Sequence, residues 1–202
     1  STNHKNFKLI DGVLASADGK TIVACPSGRF NGQDYTVPEG VQSIESYAYF
    51  YTYIKNFTTN EELKSIGTHA FQYSQLETAD FGESLTLTNI TGLENCEKLV
   101  SVTVSPSVEK LAQFSGCNKL TDIDLSKFNT KKVRDMSYMF ASCNQLKSLN
   151  PKNFDTTQVT DMKLMFYACK KLTSLNLPPL TAIRAFVLLA ISTTYSPVTF
   201  IC

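Results

Sequence analysis

Histidine is scarce in this chain of 202 residues and occurs only as His4 and His69. Neither belongs to a recognisable nucleophile–histidine–acid motif, and general acid–base or nucleophilic catalysis needs such groups to converge. The segment from Gly28 to Gly32 lacks the lysine and hydroxyl residue that complete a phosphate-binding loop. We therefore predict that the protein is not an enzyme and uses no cofactor.

An excess of charge of one sign is also missing. The 19 basic and 18 acidic side chains leave a net charge of +1, whereas nucleic acids and anionic membranes attract concentrated lysine and arginine. The longest strongly apolar run, Ala185 to Ile191, is far shorter than the roughly 20 residues that cross a bilayer. We predict no nucleic-acid partner and no membrane-spanning segment.

A repeat of 26 residues fills the second half of the chain. Cys117, Cys143 and Cys169 recur at this spacing, each followed three positions later by leucine. Other columns keep the same step, including Phe128 with Phe154, Val133 with Val159, Met136 with Met162, Met139 with Met165, and Phe140 with Phe166. The first half repeats at 22 residues, as Ile44 and Ile66 show. Six repeats of this kind predict a solenoid.

Each repeat contains a strand-like segment with the pattern L-x-x-L-x-L, such as Leu120 to Leu125 and Leu172 to Leu177. That pattern is the strand signature of leucine-rich repeats. Its apolar positions face the core and the intervening residues face outwards, because side chains alternate along a strand.

The return segment of the repeat places Met136, Met139 and Phe140 at helical spacing, with Asp135 and Asp161 positioned as N-caps. We therefore predict the α/β class: a right-handed leucine-rich-repeat solenoid with one short strand per repeat on its concave face. Loops or short helical turns are expected on the convex side.

Three regions follow within a single structural domain. Asp18-Gly19 between two apolar runs predicts a hairpin, so residues 1–35 are expected to form an N-terminal β-hairpin cap. Residues 36–180 form the solenoid of about six repeats. Residues 181–202 depart from the repeat pattern and form either a degenerate closing repeat or an irregular tail that leaves the last core edge poorly covered.

With these residues in view, the chain resembles the BspA-like leucine-rich-repeat surface proteins. Pro38, Val41, Ile44 and Ala48 match one repeat subtype, P-x-x-V-x-x-I-x-x-x-A-F. The segment Phe128 to Cys143 matches the 26-residue subtype, F-N/D-T-x-x-V-x-D-M-x-x-M-F-x-x-C, and Phe154 to Cys169 repeats it. The resemblance implies a secreted or cell-surface protein of a bacterium or a microbial eukaryote. It also implies similarity to adhesins that bind host extracellular-matrix proteins or other cells.

The strongest candidate for a metal or disulfide site is the column of cysteines formed by Cys96, Cys117, Cys143 and Cys169. Zinc ligands usually come as close pairs that converge on one point, whereas these lie one per repeat. Tyr51 and Tyr73 align with the same column through Ile54 and Leu76, the apolar residues three positions later. Because buried cysteine behaves as a small hydrophobe, we predict reduced core thiols and no metal site. The methionine columns are likewise expected to fill the core.

The outward-facing strand residues form the candidate binding site. Side by side, they would make a short-polar, mildly acidic stripe. The predicted contact residues are Thr78, Asp80, Ser101, Thr103, Asp122, Asp124, Ser148, Asn150, Ser174 and Asn176. Solenoids commonly bind along such a face, but a plain solvated sheet would carry the same residues. A second candidate is the aromatic run Tyr47, Tyr49, Phe50, Tyr51 and Tyr53, of which some members must be core.

Two functions compete. The first is a binding or adhesion module whose partner is a protein or a glycan, for instance a host extracellular-matrix protein. The second is a scaffolding segment of a longer surface protein, which self-associates through the apolar C-terminal end near Phe186 to Ile191.

Overall fold

The computed structural model describes residues 5–82, 84, 86–105, 107–108, 113–121, 123, 130–131, 133–149, 157–175 and 199–200. These residues form short β-strands joined by tight turns. In chain order the strands are β1 Phe7–Ile10, β2 Val13–Ser16, β3 Thr21–Ala24, β4 Tyr35–Thr36, β5 Ser43–Ile44, β6 Asn56–Thr58, β7 Ser65–Ile66, β8 Thr78–Asp80, β9 Ser101–Thr103, β10 Ser148–Leu149, β11 Ser174–Leu175 and β12 Thr199–Phe200.

The N-terminal cap is a meander of three antiparallel strands. Asp18-Gly19 joins β2 to β3, which confirms the hairpin expected there. A further hairpin, absent from our prediction, joins β1 to β2 through Asp11 and Gly12. Both residues have positive φ, 50° and 81°, as the two-residue turns favoured by twisted hairpins require. The Asp-Gly pair at this position could have identified it.

The cap continues directly into the solenoid. Strand β3 pairs in parallel with β5, and β5 with β7, so one sheet runs in the order β1-β2-β3-β5-β7. Ile22, Ile44 and Ile66 are consecutive partners along it and are at most 3% exposed. Burying each such side chain stabilises the fold by roughly 1.5–3 kcal/mol.

A second, all-parallel sheet has the order β4-β6-β8-β9. Its inward column contains Tyr35, Phe57, Ala79 and Val102, which pair in that order and are buried. A third parallel sheet follows the order β10-β11-β12. The early repeats therefore contribute two strands each, and the expectation of one strand per repeat is wrong for them.

The segment between the two sheets, which we call the arch, is a chain of turns. It covers residues 45–52 in one coil and 67–74 in the next. The N–H groups of Tyr47, Tyr49 and Tyr51 donate to the carbonyls of Thr68, Ala70 and Gln72 in the next coil, at 2.8–3.2 Å. The intervening N–H groups donate three residues back, as from Phe50 to Tyr47 at 3.1 Å.

The predicted helical turns, and with them the α/β class, are wrong for the described residues, which contain no helix. An α-helix needs each N–H for the carbonyl four residues earlier, but alternate N–H groups of the arch bond to the neighbouring coil. Asp135 and Asp161 do not cap helices. Their Oδ1 atoms accept the N–H groups of Ser137 and Lys163, two residues on, at 2.8 and 2.7 Å. The described part of the chain also contains no helix that could cross a membrane.

Aromatic rings of successive coils stack on one another in the core beneath the arches. The ring pairs Tyr49–Phe71, Phe114–Phe140 and Phe140–Phe166 lie nearly parallel, with centroids 5.2–5.8 Å apart. Met136, Met139, Met162 and Met165 are each no more than 2% exposed. These methionines fill the core, as the sequence predicted.

Candidate binding surfaces

The cysteine column is part of the core. Cys96, Cys117, Cys143 and Cys169 are free and buried. Each thiol donates to a carbonyl of the preceding coil at 3.0–3.1 Å, as from Cys117 to Leu93. Burial raises the pKa of the thiols of Cys96 and Cys169 to about 12 and that of Cys117 well above its usual value. Protonated, enclosed thiols are poor nucleophiles and poor metal ligands.

The alignment of tyrosines with this column is wrong by one position. Ser74 contacts Cys96, with its Oγ 3.3 Å from the sulfur, and Thr52 occupies the equivalent place two coils before Cys96. Both hydroxyl residues are buried, whereas Tyr51 and Tyr73 point outwards. The column therefore selects a small side chain that can donate to a carbonyl, not packing volume in general.

The outer residues of β6, β8 and β9 form a continuous surface, which we call the polar strand face. Thr78 lies beside Ser101, and Asp80 beside Thr103, in parallel register. Asn56 donates to Asp34 at 2.7 Å, and Thr78 donates to Asn56 at 2.8 Å. These bonds between successive coils hold the side chains in one orientation. Ser101 and Thr103 are exposed.

The remaining predicted contact residues divide into two groups. Ser148 and Ser174 pair across β10 and β11 in the third sheet, and the structure describes only their backbone. Asp122, Asp124, Asn150 and Asn176 lie outside the described residues. The structure thus brings together Thr78, Asp80, Ser101 and Thr103.

The second predicted surface is the aromatic run after β5, and the structure divides it. Tyr49 is a core residue. Tyr47, Tyr51 and Tyr53 are exposed, by 54%, 53% and 49%. For Tyr47 and Tyr51 the backbone explains the exposure, because their φ values are 61° and 55°. A residue in the left-handed region within a chain of turns directs its side chain away from the core.

The next coil extends this surface. His69 stacks on Tyr47 with the ring centroids 5.3 Å apart, and Tyr73 stacks on Tyr51 at 5.1 Å. Phe50 contacts Tyr47, Tyr51 and Tyr73 edge-on at 4.9–5.9 Å. We call these five rings the arch aromatic cluster. Sequence reasoning missed Tyr73 and His69 as members, although the 22-residue step places them directly after Tyr51 and Tyr47.

His69 is a turn residue in the left-handed region, as are Tyr47 and Tyr138. Its Nδ1 lies 3.7 Å from Glu94 Oε2. That pair is an ion pair only when His69 is protonated.

An acidic cleft of about 450 Å³ lies where β4 and β6 end. Glu39, Glu61 and Glu62 line it together with Asn60 and Thr59. Glu62 Oε2 accepts the N–H of Gly40 at 2.6 Å, and Asn60 donates to the carbonyls of Pro38 and Val41. Within the described ranges, no three histidine, cysteine or acidic residues are grouped so that they could hold a metal ion.

Comparison with known proteins agrees with this architecture. No curated protein matches the chain. Among solved structures, the pneumococcal vaccine antigen PcpA is similar, with a TM-score of 0.71 and 20% identity over 100% of this chain and 48% of that one. A leucine-rich repeat protein from Eubacterium ventriosum has a TM-score of 0.50 and 16% identity over 90% of this chain and 53% of that one.

A leucine-rich repeat protein from Bacteroides ovatus gives a TM-score of 0.50 and 18% identity, over 86% of this chain and 63% of its own. The chain thus spans between about half and two thirds of the length of these structures, and the likeness concerns the fold. Residues 27–147 and 93–192 match the BspA type leucine rich repeat region, in six copies. The chain therefore belongs to the BspA type leucine-rich-repeat family.

Proposed function

We propose that this chain is a non-catalytic binding module of a secreted or cell-surface protein, and that its ligand is a protein or a glycan such as a component of host extracellular matrix. Family membership supports a repeat protein that binds other proteins. The name of the PcpA structure describes a vaccine antigen, which supports a position outside the cell.

The observation that carries this proposal is the polar strand face. Parallel register places the outward-facing side chains of successive coils beside one another, from the half-buried Asn56 and Thr78 to the exposed Ser101. Hydrogen bonds between coils hold Asn56 and Thr78 before any ligand arrives. A surface ordered in advance loses less conformational entropy when it binds.

The thiols of Cys96, Cys117, Cys143 and Cys169 are buried in the core, so the polar strand face offers hydrogen bonds and shape and contains none of these four thiols. This supports binding without catalysis.

A label-free binding screen tests the proposal. The purified chain is presented at physiological salt with fibronectin, fibrinogen, laminin, collagen and common glycans. The Ser101→Lys/Thr103→Lys variant places two cations on the polar strand face, while Ser27→Lys/Asn31→Lys adds the same charge to the exposed loop after β3.

We expect at least one ligand whose affinity falls tenfold or more in the strand-face variant and is unchanged in the loop variant. Equal affinity in both variants would move the site elsewhere. If no ligand of the panel binds, the proposal of a matrix-binding module is contradicted.

Self-association remains the alternative proposal from the sequence. Its predicted interface, Phe186 to Ile191, lies outside the described residues. Size-exclusion chromatography with and without residues 181–202 separates the two functions, since a monomer in both forms argues against assembly through this end.

A further inference from the structure

We propose that the arch aromatic cluster is a second binding site, distinct from the polar strand face, and that it takes a proline-rich segment in the polyproline II conformation. The cluster consists of Tyr47, Phe50, Tyr51, His69 and Tyr73. Exposed aromatic side chains dominate the energetics of protein interfaces, and the polar strand face carries none of them.

The rings form two parallel ridges. Tyr47 and His69 occupy equivalent positions of successive coils and make one ridge. Tyr51 and Tyr73 make the other. Within each ridge the planes are inclined by only 23° and 18°. Phe50 contacts rings of both ridges and is less exposed than the tyrosines, so it forms the floor between them.

The backbone holds these ridges in place. Tyr47, Tyr51, His69 and Tyr73 all have φ between 55° and 61°, and the N–H groups of Tyr47 and Tyr51 are bonded to the next coil. The side chains therefore start from a fixed base, and neighbouring rings restrict them further. The side chains therefore lose little conformational entropy when a ligand binds, which favours affinity.

This arrangement discriminates between ligand chemistries. A sugar ring stacks on an open aromatic face, but stacking within each ridge covers the faces that its rings turn towards each other. Tyr47, Tyr51 and Tyr73 nevertheless remain 38–54% exposed, so part of each ring is open to solvent. Grooves lined by aromatic residues are the recognition mode for polyproline II segments, which enter already ordered.

Hydrogen-bond donors complete the match. A polyproline II chain has no internal hydrogen bonds, so its carbonyls need external donors. The tyrosine hydroxyls supply donors along the ridges. Gln72 is the counterpart of Phe50 in the next coil and is half-buried like it. No lysine or arginine belongs to the cluster, so an acidic peptide is not favoured.

The chain itself suggests the variant that tests this site. Asn95 continues the Tyr51–Tyr73 column with φ of 57°, and asparagine tolerates the left-handed region. Tyr51→Asn/Tyr73→Asn should therefore remove one ridge and keep the fold. Tyr138→Asn is the matched control, because Tyr138 is an exposed tyrosine with φ of 55° outside the cluster.

The probes are a proline decamer, a triple-helical Gly-Pro-Hyp peptide, a proline-free peptide of equal length and a neutral glycan array, measured by label-free binding. We expect the wild-type chain and Tyr138→Asn to bind the proline decamer, and Tyr51→Asn/Tyr73→Asn to lose at least tenfold in affinity. Circular dichroism and thermal melting establish that each variant is folded.

Binding of the decamer that the double variant loses supports the proposal, whereas binding of the triple helix alone would overturn it, because the site would then take a collagen-like partner. Failure of both probes, undiminished binding by the double variant, or a cluster-dependent response to glycans only would overturn it. The lysine variants on the polar strand face should leave this binding unchanged, so the two proposals fail separately.

Discussion

At the residue scale, the arches depend on non-glycine residues in the left-handed region. Equivalent arches cover residues 136–143 and 162–169. Each of the four arches contains two such positions, with φ between 52° and 61° at Tyr47, Tyr51, His69, Tyr73, Tyr138, Ser142, Leu164 and Ala168. An L-residue there costs roughly 1–2 kcal/mol. The solenoid accepts this cost repeatedly because the conformation turns alternate N–H groups towards the next coil.

Ala168 is the position at which this strain can be measured alone, since its side chain has no ring to stack. We expect Ala168→Gly to raise the free energy of unfolding by about 0.5–1 kcal/mol, because relief of the strain exceeds the added freedom of the unfolded chain. Urea unfolding followed by circular dichroism measures it. Ala24→Gly, an exposed strand position with ordinary φ, should instead lose about 0.5–1 kcal/mol. Equal losses at both positions would contradict the assigned conformation.

The misplacement of the cysteine column shows what sequence columns cannot reveal. Counting back three positions from Ile54, Leu76 and Leu99 places Tyr51 and Tyr73 with Cys96. Counting along the arch places Thr52 and Ser74 there instead. The two counts differ because one extra residue lies between Cys96 and Leu99 in that coil. Strand and arch each keep their own register, and only the structure shows where the extra residue is accommodated.

At the element scale, the arch explains why a helix was predicted and did not form. The spacing of Met136, Met139 and Phe140 satisfies a helical face, and all three are buried. The N–H of Phe140 nevertheless donates to Met165 in the next coil at 2.9 Å. Local spacing indicates which side chains are buried, but every second N–H of the arch takes its partner from the next coil. The strands with the L-x-x-L-x-L pattern follow from local alternation, the solenoid from the repeat period and the β2–β3 hairpin from its Asp-Gly turn, so these were predictable. Strands β5 and β7 and the β1–β2 hairpin were not predicted.

Close approach of neighbouring arches should depend on Gly67. A Cβ atom there would lie 2.3 Å from the backbone N of Ser46 and 2.6 Å from the carbonyl carbon of Glu45. Because backbone atoms cannot swing aside, we expect Gly67→Ala to cost about 1–3 kcal/mol of stability, as overpacking does. Thermal unfolding by calorimetry provides the measurement.

Gly28→Ala is the matched control for this position. Nothing lies within 4 Å of a Cβ at Gly28, so its stability should stay the same or rise slightly. If Gly67→Ala and Gly28→Ala unfold at the same temperature, the two arches do not approach each other as described.

At the scale of the whole molecule, the column of protonated thiols should make stability sensitive to alkali. Burial raises the pKa of Cys96, Cys117, Cys143 and Cys169 in the folded chain, whereas an unfolded thiol ionises near pH 9. Above that pH the unfolded chain releases protons that the folded chain retains, so stability falls as pH rises. Below about pH 8 both states keep these protons, and the thiols contribute no pH dependence.

Four such groups should lower the free energy of unfolding by about 4 kcal/mol between pH 9 and pH 10, which is a large share of the stability of a typical domain. Urea titrations at pH 7, 8, 9, 10 and 11 measure the slope. Tyr49→Phe is an internal control, because burial also raises the pKa of Tyr49 and Phe71 occupies the same place in the next coil. It should match the wild-type chain at pH 7 and lose less stability above pH 10. A flat profile up to pH 10 would mean that the thiols reach solvent, and the core column described above would be wrong.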